Sequence, residues 1–246
     1  MKILVCISHV PDTTSKINFN ADNTEFDTNG VQFVINPNDE FGLTRAIWLK
    51  EKQGATVHVV NVGHAETEPT LRKALAIGAD EAIRVDQPAT DGYSVAQALA
   101  IIVKEGQYDL VIAGRESIDY NGGMVPGMLA KLCDYGFVNT CIGLDIQGQT
   151  AIAIREIDGG KQTIEIPLPI VIGSQKGLVE ESDLRIPNMR GIMQARTKPL
   201  HIKPGATFTK KSQVNSFQKP APKEAVTLAE NTDQLIKLLH NEAKVI

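Results

Sequence analysis

Polar and small residues stand where apolar runs end in the first half of this 246-residue chain. The ends of three such runs, and the start of one helical pattern, are Cys6–Ser8, Val62–His64, Gly114–Asn121 and Asn36–Asp39. Open parallel sheets bind ligands beyond the carboxyl ends of their strands, because the connecting loops converge there. The spacing therefore predicts a ligand site built from these four segments.

The stretch GRESIDYNGGMVPG, residues 114–127, is rich in glycine and leads into a helical pattern. Backbone amides in such a loop could bind a phosphate at the amino terminus of the following helix. A plain strand-to-helix turn explains the same residues equally well. The chain has no GxGxxG and no GxxxxGK[ST] motif, so neither a Rossmann dinucleotide fingerprint nor a P-loop is present.

Catalytic and metal-binding patterns are missing from the sequence. The cysteines number three, and no two of them stand at CxxC spacing, which argues against a disulfide framework or a zinc site. No nucleophile–base set emerges from the sequence. We therefore predict no catalytic residues and no metal, and we expect a reducing compartment.

A second unusual segment is RIPNMRGIMQARTKPL, residues 185–200, which contains no acid. Its cations and its methionines are Arg185, Arg190, Arg196 and Lys198 with Met189 and Met193. A solvated loop does not need the methionines, and a core strand does not carry the cations. The segment must therefore lie on a surface whose role accounts for the cations and the methionines together.

The elements that must position these residues alternate between strand and helix over the first 140 residues. Apolar runs such as KILVCI and DLVIAG predict buried strands, and helical spacing follows each one. We expect Asn36 to cap the first helix with Pro37 in its first turn, and Gly78 to end the second. This alternation predicts an open, mostly parallel α/β sheet.

The pattern changes after residue 140. Residues 142–173 alternate with period two around glycine-rich turns, which predicts antiparallel hairpins added to the sheet. Beyond residue 184 the prolines and the lack of periodicity predict an extended C-terminal arm, ending in a helix capped by Thr232. We divide the chain into an α/β domain at 1–184 and a recognition loop with its arm at 185–246.

Charge is distributed unevenly along a chain whose net charge is −4. Residues 184–223 hold nine Lys or Arg and no Asp or Glu, which indicates an arm that docks on an acidic partner. Aromatic residues for base stacking are scarce there, so we expect no nucleic-acid partner. The short first apolar run is not a signal peptide, and no run is long enough for membrane insertion, so we expect a cytoplasmic protein.

Three separated stretches resemble the beta subunits of electron transfer flavoproteins. They are INPNDEFGLTRAIWLKEK (35–52), REIDGGKQTIEIPLPIVI (155–172) and RIPNMRGIMQARTKP (185–199). The resemblance runs nearly end to end and includes LRKALAIGADEAIRV and the GRESID loop. It implies a sheet of the adenine-nucleotide-binding type and an electron-carrier subunit without catalytic residues of its own.

The resemblance also implies cofactors and partners. An alpha subunit would hold most of the FAD, and this chain would bind AMP. Electrons would pass from acyl-CoA and related dehydrogenases to that FAD, and then to a quinone oxidoreductase or another acceptor. Two alternatives stay open: a bifurcating relative with a second FAD in place of AMP, and a nucleotide-binding module without electron transfer.

The resemblance assigns the residues of a recognition segment, in which an apolar side chain enters a pocket on the dehydrogenase. Met189 takes the position of that side chain, and the flexible thioether suits several pockets. The alternative that Met189 packs against the chain's own hairpins stays open. The members of the segment are Arg185, Ile186, Pro187, Asn188, Met189, Arg190, Gly191, Ile192 and Met193.

Nucleotide contacts follow from the resemblance as well. The positions that would face adenine and ribose are Cys6, Asn36, Pro37, Asn38, Asp39 and Val62. Those that would line the phosphate are Gly114, Arg115, Ile118, Asp119, Asn121, Gly122, Gly123, Met124 and Val125. The Met124-Val125 pair departs from the polar pair of the family. Glu156 matches a glutamate that pairs with an arginine of the mobile flavin domain.

Overall fold

A computed structural model describes residues 1–223 and 225–246 of the chain. The described residues form two compact units. The larger unit joins Met1–Asn18 to Asp27–Val214, and the smaller joins Phe19–Phe26 to Asn215–Ile246. The main sheet and the predicted site segments all belong to the larger unit.

Among the described residues, nine strands form the main sheet and two more form a short antiparallel pair. In chain order the strands are β1 (Lys2–Cys6), β2 (His9–Pro11), β3 (Phe33–Ile35), β4 (Thr56–Val62), β5 (Glu81–Asp86), β6 (Leu110–Gly114), β7 (Gly136–Gln147), β8 (Thr150–Ile157), β9 (Gly160–Pro167), β10 (Ile170–Ser174) and β11 (Leu200–Pro204). The order across the main sheet is β11-β5-β4-β1-β6-β10-β7-β8-β9. Pairing is parallel from β11 to β7 and antiparallel from β7 to β9, which confirms the predicted fold class.

Most of the α-helices lie in connections between strands of the main sheet, and the last one follows the final strand. They are α1 (Pro37–Gln53), α2 (Glu68–Ile77), α3 (Gly92–Gly106), α4 (Val125–Cys133), α5 (Met189–Ala195) and, in the smaller unit, α6 (Thr232–Lys237). Pro37 occupies the first turn of α1 as predicted, because its missing amide has no partner there anyway. Gly78 ends α2 with a φ of 149°, as predicted. Asp91 and Ser94 form a reciprocal capping box on α3.

The core lies on both faces of the sheet. Along β1, Ile3 and Val5 pack with α1 and α2, whereas Leu4 and Cys6 pack with α3 and α4. Successive side chains of a strand point to opposite faces, so a strand covered on both faces must be apolar throughout. This explains the uninterrupted runs from which the strands were predicted.

The prediction that residues 142–173 form only hairpins was wrong for the last strand. Strand β10 lies between β6 and β7 and runs parallel to both, while β7, β8 and β9 form the predicted antiparallel hairpins. All five residues of β10 are buried, as expected for a central strand covered on both faces. Period-two alternation belongs to the hairpins and does not extend into β10.

Residues 185–204 also contain regular structure that the sequence pattern did not predict. Helix α5 lies in the recognition segment, and β11 pairs in parallel with β5 at the edge of the sheet. A seven-residue helix and a five-residue edge strand are too short to show periodicity, and each depends on a tertiary neighbour.

The smaller unit contains the end of the chain. The rings of Phe19 and Phe217 stack with centroids 4.8 Å apart, and the amide of Phe217 donates to Asn23 O at 2.7 Å. The predicted final helix is present as α6 and continues into a wider turn at Leu238–Ala243. Its cap is Asn231, whose Oδ1 accepts from Gln234 N at 2.9 Å, so the prediction of Thr232 was one residue late.

Candidate functional site

A buried carboxylate joins the ends of two strands to helix α1. Asp39 lies in the first turn of α1 and is 2% exposed. Its Oδ2 accepts from the amide of Ser8 at 2.7 Å, and its Oδ1 accepts from the amide of Gly114 at 2.8 Å. Burial raises the pKa of Asp39 to about 7, against the opposing effect of the donated hydrogen bonds. Asp39 therefore holds β1 and β6 in fixed positions beside the helix.

Asn36 has a different role from the one predicted. Its side chain is fully buried and makes no capping bond to α1. Instead, Nδ2 donates to Glu116 O at 3.0 Å, and Oδ1 accepts from Ile118 N at 3.2 Å. Asn38 adds a second donor to Glu116 O at 3.1 Å. The loop after β6 has buried backbone groups that need partners, and the two asparagines supply them.

Gly114 ends β6 at a point where no side chain fits. An added Cβ would overlap Asp39 Oδ1 and would lie 2.8 Å from Asn36 Nδ2. Close by, the hydroxyl of Ser174 donates to Asn38 O at 2.8 Å and lies 3.1 Å from Ala113 O. We call Ser8, Asn36, Asp39, Gly114 and Ser174 the carboxyl-edge cradle. Sequence reasoning missed the contribution of Ser174, although it ends a buried apolar run.

The loop between β6 and α4 is open to solvent. Asp119, Asn121, Gly122, Gly123 and Met124 are exposed, while Ile118 and Val125 are half-buried. Asn121 and Gly123 have φ values of 49° and 60°. In the described part of the chain, the amides of Gly122 and Gly123 donate to no protein acceptor. Free amides that precede a helix favour an anion, and they do so without a metal.

Two further members of the predicted nucleotide site lie at the ends of their strands. Cys6 and Val62 are buried near the carboxyl ends of β1 and β4, on the face of the sheet covered by α3 and α4. Burial, and secondarily the charge of Asp39, raises the pKa of the Cys6 thiol and so favours its protonated, less reactive form. The side chain of Met124 lies against Gly92, where an added Cβ would be 3.1 Å from Sδ.

Glu156 is held by a neighbour that the sequence did not indicate. It stands near the end of β8, and its Oε2 accepts from Gln175 Nε2 at 2.7 Å. Arg115 pairs with Glu116 at 2.7 Å, and its Nη1 lies 3.5 Å from Gln175 Oε1. Through Gln175, the end of β8 is therefore linked to Arg115, the residue that begins the loop after β6.

Helix α5 is fixed to the body of the larger unit along one side. Gly191 approaches Ala76 O so closely that an added Cβ would overlap it. The ammonium of Lys198 donates to Leu75 O and Ala79 O at 2.9 and 2.6 Å, and Arg72 donates to Ala195 O at 2.7 Å. These contacts to the end of α2 give the segment a defined position.

The opposite side of α5 is apolar and exposed. Met189 is 75% exposed, Met193 is 67% exposed and Ile186 is 84% exposed. The alternative that Met189 packs against the chain's own hairpins is therefore wrong. The cations divide into two groups, since Arg185 pairs with Glu51 at 2.6 Å whereas Arg190 and Arg196 are exposed and have no ion pair among the described residues.

The described residues contain no candidate for a metal site or for a membrane-crossing helix. No group of three or more His, Cys, Asp or Glu side chains is arranged to hold a metal ion. None of the described helices combines the length and the apolar composition that crossing a membrane requires.

Comparisons with known proteins agree with these features. Residues 24–204 match the model of the electron transfer flavoprotein domain. The chain is 35% identical to the electron transfer flavoprotein subunit beta of Bacillus subtilis, with 100% of both chains covered. It is 37% identical to that of Syntrophomonas wolfei, covering 92% of this chain and 88% of the relative. For the human subunit the identity is 31%, covering 100% and 99%.

Proposed function

The chain belongs to the electron transfer flavoprotein family, and from that premise we propose that it is the beta subunit of a heterodimeric electron carrier. The observation that carries the proposal is the extent of the similarity, which covers the whole chain in beta subunits from a bacterium and from human. Family members of this kind are electron carriers, and we propose that the chain has no catalytic residues of its own. An alpha subunit would hold most of the FAD.

We propose AMP as the nucleotide of this chain. The loop after β6 supports it, because the amides of Gly122 and Gly123 precede α4 and donate to no acceptor among the described residues. Adenine and ribose would contact Cys6, Val62 and residues 36–39, and the phosphate would contact residues 114–115, 118–119 and 121–125. AMP has no redox chemistry of its own, so its role here would be structural.

The exposed side of α5 supports docking on acyl-CoA and related dehydrogenases. Met189 would enter an apolar pocket, and the unpaired Arg190 and Arg196 would steer the approach to an acidic surface. Reduced FAD would then pass its electrons to a quinone oxidoreductase or another acceptor. Helix α5 is held against α2, so this docking needs little rearrangement of the segment.

One experiment tests both the function and the nucleotide. The chain is produced together with an alpha subunit, and the purified heterodimer is denatured. The amounts of released FAD and AMP are then measured per heterodimer. We expect one FAD and one AMP per heterodimer. Two FAD and no AMP would indicate a bifurcating relative, and no flavin would indicate a nucleotide-binding module without electron transfer.

A pair of glycine variants identifies the position of the nucleotide. Gly114→Ala should abolish AMP content while FAD remains, because the added methyl group overlaps Asp39 in the cradle. Gly160→Ala is the matched control, since an added Cβ there meets no atom within 4 Å and Gly160 begins β9, outside the proposed nucleotide site. Equal AMP content in both variants would contradict the assignment of AMP to the cradle.

A further inference from the structure

Glu156 combines exposure to solvent with a fixed position. Its Oε2 accepts from Gln175 Nε2 at 2.7 Å, and its backbone carbonyl accepts from Thr140 Oγ1 at 2.9 Å. Among the described residues, Oε1 of the same carboxylate has no partner. An exposed glutamate ordinarily samples several rotamers, and the bond from Gln175 favours one orientation of this carboxylate with one oxygen free.

Gln175 is well placed to impose that orientation. It is 7% exposed and directly follows β10, a central strand of the sheet. The neighbouring Ser174 carbonyl accepts from Arg115 N at 2.8 Å, which fixes the backbone at this point. The guanidinium of Arg115 lies on the Oε1 side of the Gln175 amide, so the amide directs its Nε2 towards Glu156.

The chemistry of the donor matters as much as its position. A neutral amide holds the carboxylate without neutralising its charge, whereas a lysine or arginine at position 175 would cancel it. The nearby cation, Arg115, is already paired with Glu116 at 2.7 Å. The result is a negatively charged, oriented group that can accept a bidentate or end-on guanidinium from outside the chain.

We infer that Gln175 is the positioning residue for Glu156, fixing its carboxylate for an arginine of the mobile flavin domain. The inference rests on the proposed function, because that arginine belongs to the alpha subunit. Fixing one partner in advance strengthens the contact, since less rotamer freedom is lost when the ion pair forms. Without Gln175, Glu156 keeps its charge but loses its orientation.

Energy transfer in the heterodimer measures the contact. A dye is attached to the variant Gln149→Cys, at the end of the β7–β8 hairpin that is far from Glu156. The dye accepts energy from the flavin, and the transfer efficiency reports the fraction of flavin domain that is docked. High salt should lower this fraction, because it screens the ion pair. Gln175→Met, which keeps the size of the side chain but removes the amide, should lower the docking equilibrium constant about threefold to tenfold.

Glu156→Gln should lower docking at least as far, and the double variant should match Glu156→Gln alone, because Gln175 acts only through that carboxylate. Gln162→Met is the matched control. Gln162 accepts from Arg155 on the same hairpin at 2.9 Å and does not contact Glu156, so docking should be unchanged.

The outcomes separate this inference from the proposed function. If Glu156→Gln lowers docking and Gln175→Met does not, or if the two effects add, Gln175 is not the positioning residue although the contact exists. Unchanged docking in Glu156→Gln would overturn the contact itself and the inference with it. If Gln175→Met loses FAD or melts early, Gln175→Asn replaces it in the cycle, since its shorter amide cannot reach Glu156 and the same result is expected.

Discussion

The carboxyl-edge cradle and helix α5 depart in opposite ways from the usual distribution of residues between core and surface. In the cradle, the polar side chains of Asn36 and Asp39 are buried and hydrogen-bonded on both sides. On α5, the apolar side chains of Met189 and Met193 are exposed and cover nothing. Buried polar groups and exposed apolar groups are the two informative exceptions on a protein surface.

The two regions therefore differ in how much they contribute to the stability of the fold. The cradle residues satisfy backbone groups of three segments, so the fold itself depends on them. The exposed apolar side chains of α5 contribute nothing to the core. Their exposure to water is unfavourable, and binding of a partner would remove it. A substitution in the cradle should therefore reduce stability, and one on the exposed side of α5 should reduce binding while the fold stays intact.

Asp39→Ala should give the largest effect of this kind. The amides of Ser8 and Gly114 would lose their acceptor, at about 1 to 3 kcal/mol each for a buried unpaired donor. We expect a large fall in the melting temperature of the heterodimer together with loss of the nucleotide. Asp12→Ala is the control, because Asp12 accepts from Thr14 in an exposed turn. Equal melting temperatures in the two variants would remove the contrast between cradle and surface.

The pH dependence of Asp39 sharpens the same point. Burial raises its pKa in the folded chain to about 7, from an ordinary value of 3.8, so folding favours the protonated form. The contribution of this group is therefore fully present below about pH 4, is lost as pH rises to about 7, and is constant above that. The change amounts to at most about 4 kcal/mol.

The measurement compares melting temperatures of the wild type and Asp39→Asn between pH 5 and 8. The amide does not titrate, so the advantage of the wild type should shrink as pH rises. Asp91 provides the opposite case, because hydrogen bonds from Ser94, Lys211 and Ser212 hold its pKa at about 2. Its contribution should be lost only as pH falls below about 4. A wild-type advantage that grows between pH 5 and 7 would contradict the prediction for Asp39.

Met189→Ala should act on binding alone. Truncation of an anchor in an interface pocket typically costs about 1 to 3 kcal/mol, so the apparent KM for a dehydrogenase should rise tenfold to a hundredfold. The melting temperature and the FAD content should match the wild type, because the side chain is exposed. Ile101→Ala, at an exposed position of α3, serves as the control. A lowered melting temperature without a change in KM would assign Met189 to the fold.

Arg190→Glu and Arg196→Glu should give the smallest effects. Exposed charges mainly steer association, so we expect association with a dehydrogenase to slow about twofold to tenfold and to depend less on salt. Lys161→Glu makes the same change of charge on β9, away from α5, and should leave the rate nearly unchanged. Stopped-flow measurements between low and high salt provide the test. An equal effect of all three reversals would point to net charge alone.

Much of the fold could be predicted because its signals are local. The apolar runs of β1, β4 and β6 and the helical spacing of α1 to α3 lie within windows of a few residues, and caps such as Pro37 and Gly78 stand inside them. The short elements α5 and β11 could not be predicted in this way. Their stability comes from α2 and β5, which are distant in sequence.

The candidate site, like the fold, could be predicted only where its signals are local. That Asn36–Asp39 and Gly114 meet at the carboxyl edge could be predicted from the chain pattern, because parallel strands bring their ends together. Two contacts could not be predicted, because they depend on packing between distant segments. Asn36 bonds to Ile118, 82 positions away, instead of capping its own helix, and Gln175 bonds to Glu156. A polar side chain takes the partner that burial and geometry offer. The sequence pattern indicates the position of a polar side chain in the fold. The packing around that side chain determines which of its possible hydrogen bonds forms.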